Sequence, residues 1–312
     1  MSTQTIKCSI VIPTYNSERY IEKSIRSAQN QTEKGIEILV SDNCSSDSTI
    51  KIVELMQRAD PRIKLFRNPV NLGPVLNWKS GCSHAQGEKI VLLFSDDWLS
   101  SAFVERLAKR LDNGQLAFAQ CAVLRHTFPS DPVRPESLMY QRRADGICTA
   151  KDYIDGLVSP PRGGPLSPVS PACSLFRATD LKKALESVPA DNFELGYLSH
   201  GAGPDLWCYM RCLFIYEKFW HETEPLANFL ARPGAESTKP GIALAYSGAV
   251  LQCLEIGGSS DRFVSLHSLF TAVARVFKLT LTGKKSPGLV LLGIKLLLRR
   301  IKIAPLRKNS KK

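Results

Sequence analysis

The sequence predicts an α/β protein: a mostly parallel sheet with helices on both faces and a basic helical segment at its C-terminal end. Three observations carry that reading. Short, continuous apolar runs recur through the first half of the chain, and strands buried on both faces are written that way. Stretches with helical periodicity separate them, and strand–helix alternation marks a crossover-connected sheet. At 312 residues, with 44% hydrophobic and 22% charged, the chain can bury a sizeable core without disulfides or metals.

In order, Cys8 to Pro13 is the first run. Ile21, Ile25 and Ala28 then share one helical face. Ile36 to Val40 is a second strand, followed by a helix near Ser46 to Arg58 with Ser45 or Ser46 as its cap. Ile63 to Phe66 is a third strand, Leu72 to Ala85 a helix, and Lys89 to Phe94 a fourth, very apolar strand. Between Phe128 and Pro171 repeated prolines indicate a loop-rich, substrate-facing region with one short helix around Lys151 to Leu157. Helical patterns return at Ala178–Ser187 and Asp205–Leu213. In Leu289–Ile303, Lys295, Arg299 and Lys302 fall on one helical face and apolar residues on the other. That segment either lies on an anionic membrane surface, the favoured reading, or packs on the domain. The chain divides into a ligand-binding half (1–125), a second half completing the same domain (126–240) and a helical basic segment (241–312).

Composition excludes several classes. Nine cysteines without a C-x-x-C pair argue against a zinc ribbon or a redox motif and fit a reducing cytosol. The first apolar run is too short for a signal peptide, and no run reaches the length of a membrane span. The expected location is cytoplasmic, peripheral on the inner membrane face if the last helix docks there. The net charge is +12, yet no Asp or Glu follows Asp261 while 13 Lys and Arg do. The body is therefore nearly neutral, which argues against nucleic acid as a partner.

Parallel α/β sheets bind ligands beyond the carboxyl ends of their strands. Strand one ends in Pro13-Thr14-Tyr15-Asn16, strand two in Ser41-Asp42-Asn43, and strand four in Ser95-Asp96-Asp97-Trp98. Neither a G-x-G-x-x-G turn nor a Walker A loop is present. Phosphates would instead need a divalent cation held by carboxylates, and Asp96 with Asp97 suits that need. The same pair could simply start a turn.

Four stretches now stand in order: Ser9 to Asn16, Glu37 to Asp47, Asn71-Leu72-Gly73, and Gly87 to Asp97. With them the chain resembles a family 2 glycosyltransferase of the Rossmann-like GT-A fold over about residues 6 to 110. The resemblance implies an inverting, metal-dependent transfer of a sugar from a nucleotide-diphosphate donor, UDP-sugar favoured, to a hydroxyl of a glycan or lipid-linked acceptor in surface or extracellular polysaccharide synthesis. It implies that Asp42 accepts a hydrogen bond from the base, that Pro13, Tyr15 and Asn16 line the nucleotide pocket, and that Asp96 and Asp97 hold Mn²⁺ or Mg²⁺, Asp97 the more direct ligand. Phe94 and Ser41 depart from acids common in the family, which leaves open a catalytically degenerate nucleotide-sugar-binding protein. Further on, Asp205 followed by Arg211 matches the start of the acceptor-side helix, making Asp205 the candidate general base. Capping the helix would compete for the same carboxylate oxygens. Asp191 and Glu194 are rival acids. His200, Arg232, Ser237 and Trp98 are further candidates for contacts with diphosphate, sugar or acceptor.

Overall fold

Seven elements open the chain in the predicted order: β1 (Cys8–Thr14), α1 (Ile21–Gln29), β2 (Ile36–Asp42), α2 (Thr49–Ala59), β3 (Ile63–Arg67), α3 (Pro74–Ser83) and β4 (Lys89–Leu92). The computed structural model describes residues 6–112, 114–127, 135–158, 166–189, 203–232, 242–256, 269, 271–274, 276, 278 and 290–297. β1 and β2 are buried at every position, as their unbroken apolar runs require. α1 buries Ile21, Ser24, Ile25 and Ala28 and exposes Glu22, Lys23 and Arg26. α3 begins at Gly73, whose φ of 79° favours glycine, followed by Pro74. α2 is not capped by Ser45 or Ser46: Asp47 accepts from the Thr49 backbone N–H (3.0 Å).

The chain continues with β5 (Trp98–Leu99), α4 (Phe103–Leu111), β6 (Phe118–Thr127), β7 (Ser137–Met139), β8 (Gly146–Thr149), α5 (Ala150–Val158), β9 (Ser174–Arg177), α6 (Ala178–Glu186), α7 (Pro204–Tyr216), β10 (Lys218–Ala231) and α8 (Ile242–Ile256). The strand order is β3-β2-β1-β4-β9-β6-β10-β5, with β7 beside β6 and β8 beside β10. β3, β2, β1 and β4 are parallel. β9 runs against both β4 and β6, while β10 is parallel to β6. The two reversals cancel, so β6 and β10 end on the same rim as β1, β2 and β4. One face of the sheet packs on α1, α2 and α4, the other on α3 and α5 to α8.

Periodicity did not reveal β6, β7, β8 or β9. β6 carries Gln120 and His126 at buried positions, which interrupts its apolar run. β7 and β8 are edge strands with half-exposed side chains, so the proline-rich stretch holds more sheet than its composition suggests. The segment 290–297 is helical. Leu296 is buried and Gly293 faces Val273, whereas Leu291 and Ile294 are exposed and Lys295 pairs with Glu255. The inner side thus packs on the domain, and apolar side chains occupy the outer side too, rather than one face alone. Arg299 and Lys302 lie outside the described residues. Among those residues no helix is long and apolar enough to cross a membrane.

Candidate active site

The rim is built first from the tips of β1 and β2, where Thr14 and Asp42 are register partners. Asp42 is fully buried. Its Oδ2 accepts from the Ser45 backbone N–H at 3.0 Å. Among the described residues its Oδ1 has no partner, and neither has the buried Thr14 hydroxyl. A buried carboxylate oxygen without a donor is costly, which makes the pair a candidate position for a ligand donor. The following loops clasp each other: the Asn16 N–H donates to Ser45 Oγ (2.9 Å) and Asn16 Oδ1 accepts from the Ser46 N–H (2.9 Å). Asn16 and Cys44 hold left-handed backbone, φ 48° and 67°. Asn16 therefore shapes the rim with its amide oxygen rather than offering that atom to a ligand. Pro13 is buried within β1, and Tyr15 is 48% exposed, so its ring is open to stacking instead of packed in the core. Ser41, the departure from a family acid, pairs through its hydroxyl with Asn77 Oδ1 (2.8 Å), and Asn77 Nδ2 donates back to the Ser41 carbonyl (3.0 Å).

After β4 the chain turns, the Asp97 N–H donating to the Phe94 carbonyl (3.0 Å). Phe94, the other departure, packs its ring 5.4 Å from that of Trp78. Asp97 is buried, and its Oδ1 accepts from the Leu230 N–H of β10 (3.1 Å). Burial, and then the neighbouring charge of Asp96, hold the Asp97 carboxyl well above the usual carboxylate range. Asp96 Oδ2 accepts from Arg232 Nε (2.8 Å), whose guanidinium also lies over Tyr20. Two adjacent carboxylates, one of them buried and repelled by the other, fit a hard divalent cation that takes its remaining ligands from phosphate and water. No group of three or more His, Cys, Asp or Glu placed to hold a metal occurs among the described residues. Trp98 is half-buried: Lys23 Nζ sits 3.0 Å from its ring centroid and His126 lies 4.6 Å away.

Asp205 stands in the first turn of α7, after Gly203 at φ 101° and Pro204. Its Oδ1 accepts from the backbone N–H groups of Gly203 (2.9 Å) and Leu206 (2.7 Å), and its Oδ2 from the Tyr246 hydroxyl of α8 (2.6 Å). Oδ1 thus holds the backbone and Oδ2 faces Tyr246. Burial pushes the carboxyl up to about 7, against the hydrogen bonds from Tyr246 and the backbone. Burial, and then the charges of Cys173, Asp205 and Asp97, raise the Tyr140 hydroxyl above its ordinary range. Asp191, Glu194, His200 and Ser237 lie outside the described residues. Thr14, Asn77 and Tyr246 were not anticipated. The first two lie within recognisable stretches but carry no local mark, and Tyr246 contacts a residue 41 positions earlier.

The sequence model described as Glycosyl transferase family 2 matches residues 9–185. GalNAc(5)-diNAcBac-PP-undecaprenol beta-1,3-glucosyltransferase of Campylobacter jejuni is 39% identical over 119 residues, 38% of each chain. Abequosyltransferase RfbV of Salmonella typhimurium is 36% identical over 108 residues, 34% of this chain and 32% of that protein. The chain thus spans well under half the length of these relatives. Among solved structures, S. aureus TarS 1-349 in complex with UDP-GlcNAc superposes with a TM-score of 0.63 at 18% identity, over 89% of this chain and 73% of that one. That likeness shows a shared GT-A architecture.

Proposed function

The chain belongs to glycosyl transferase family 2, and on that premise we propose that it is a metal-dependent, inverting glycosyltransferase acting from a nucleotide-diphosphate sugar, a UDP-sugar first among donors. The observation that carries the reading is the unpartnered, buried Asp42 oxygen on the same rim as the Asp96–Asp97 pair. An acceptor-only oxygen there suits the imino N–H of uracil, with the exposed Tyr15 ring available to stack. The UDP-GlcNAc complex of the structural neighbour supports the same donor class. Asp96 and Asp97 would hold Mn²⁺ or Mg²⁺, which when bound neutralises charge on the departing diphosphate. Arg232, already beside Asp96, is placed to meet a phosphate. Asp205 accepts the proton of the acceptor hydroxyl as its oxygen bonds to the anomeric carbon and the bond to the diphosphate breaks.

Residues 1–125 then handle the donor and 126–240 the acceptor, a glycan or lipid-linked glycan of polysaccharide synthesis. A relative named for an undecaprenol-linked substrate supports the lipid-linked form. Residues 241–312 complete the acceptor side and bring basic charge to an anionic membrane surface.

The test is calorimetry with UDP, GDP, CDP and dTDP, each with and without Mn²⁺, on the wild type and Asp97→Ala. UDP should bind best with Mn²⁺, and the variant should lose the metal-dependent part. Failure of every nucleotide to bind would move a degenerate binding protein to the front.

A further inference from the structure

We infer that Tyr246 is a positioning residue for Asp205, a contact by which a helix outside the family-matched residues 9–185 orients the candidate base. The inference rests on the reading of Asp205 as the base. The Tyr246 hydroxyl lies 2.6 Å from Asp205 Oδ2. With the two backbone N–H groups on Oδ1, it makes three donors fixing one carboxyl. One lone-pair direction on Oδ2 is then left for an incoming hydroxyl. α8 is itself anchored: Ala249, Val250, Leu251, Cys253 and Leu254 are buried, most of them against α7 and the aromatic core. Tyr246 is therefore held by packing and not by its hydrogen bond alone.

Among the described residues, Tyr246 from α8 bonds Asp205, and the Asp205 charge also acts on Tyr140 beyond β7, Tyr153 from α5 and Cys208 one turn along α7. Burial raises all four above their ordinary values, so near neutral pH they are uncharged. Tyr246 can then only donate to the carboxylate, which favours the ionised form and keeps burial from lifting Asp205 further.

The experiment is ¹³C NMR titration of the full chain labelled at aspartate, the Asp205 signal being identified by its loss in Asp205→Asn. In Tyr246→Phe the Asp205 midpoint should move up by about one pH unit, the effect of losing one charge-assisted hydrogen bond. The acidic limb of the transfer rate, measured with the nucleotide sugar whose diphosphate binds in the calorimetric panel, should move with it, and UDP affinity should not change. 3-Fluorotyrosine at position 246 keeps the shape and strengthens the donor, so it should lower the midpoint and covers the case of a phenylalanine variant that fails to fold. An Asp205 midpoint that stays in place in either variant overturns the inference while leaving the base assignment intact. Transfer that survives Asp205→Asn overturns the base assignment, a failure read on a different variant.

Discussion

At the scale of single residues, Asp97 and Asp205 are both buried carboxyls, and burial raises both. For Asp97 a cation would relieve the strain. Asp97→Asn keeps an oxygen for the Leu230 N–H and removes the repulsion with Asp96. The metal-free variant should melt roughly 2–4 °C higher while losing Mn²⁺-dependent UDP binding; a lower melting point would mean that the ionised carboxylate is not the burden argued here. For Asp205 the consequence is a pH profile. With its folded value near 7, the transfer rate should fall about tenfold per pH unit below that value. The sign for stability is opposite. The folded state binds this proton more tightly than the unfolded chain, whose carboxyl sits near 3.8, so stability declines as pH rises from about 4 to about 7. Asp205→Asn should flatten the urea midpoint across that window, and an unchanged slope would refute the assignment. Asp42, Asp96, Asp97 and Asp205 were legible because each follows a strand or opens a helix. Asn77 and Tyr246 were not, since their meaning comes from partners far along the chain.

At the scale of elements, α3 depends on close approach to the sheet. A Cβ on Gly81 would lie 2.7 Å from Val11 Cγ1 and 2.9 Å from the Ser41 Cβ. Neither neighbour is a flexible chain end, so Gly81→Ala should cost about 1–3 kcal/mol in urea unfolding. It should also disturb the Ser41–Asn77 pairing beside Asp42. A variant as stable as wild type would show that α3 can lift freely. The first seven elements were readable because their apolar runs are unbroken. β6 was not, because Gln120 and His126 are buried through side-chain partners that periodicity cannot see: Gln120 bonds His221, and His126 bonds Asn228. The first half of β10 likewise escapes periodicity, because it carries the buried Glu222, paired to Arg106.

For the whole molecule, the charge lies in the last sixth of the chain. If residues 262–312 bring it to a membrane, the full chain should sediment with phosphatidylglycerol vesicles at low salt, stay in solution with phosphatidylcholine, and be released by about 0.5 M NaCl. Sedimentation with neither lipid would remove the membrane from the account. The α/β class and the polar strand ends were legible in the sequence, whereas the reversal at β9 that joins the two halves was not, because four residues carry it. That reversal also gives the sheet a blank side. The turns at Gly35 and Gly114 and the start of β10 lie at the opposite end from Asp42, Asp97 and Asp205, and nothing lies within 4 Å of where a Gly114 Cβ would project. A molecule tethered to a sensor surface through the Gly114 turn would present the proposed donor side to solution, while one tethered through the exposed Cys44, two residues past Asp42, would have that side against its own attachment.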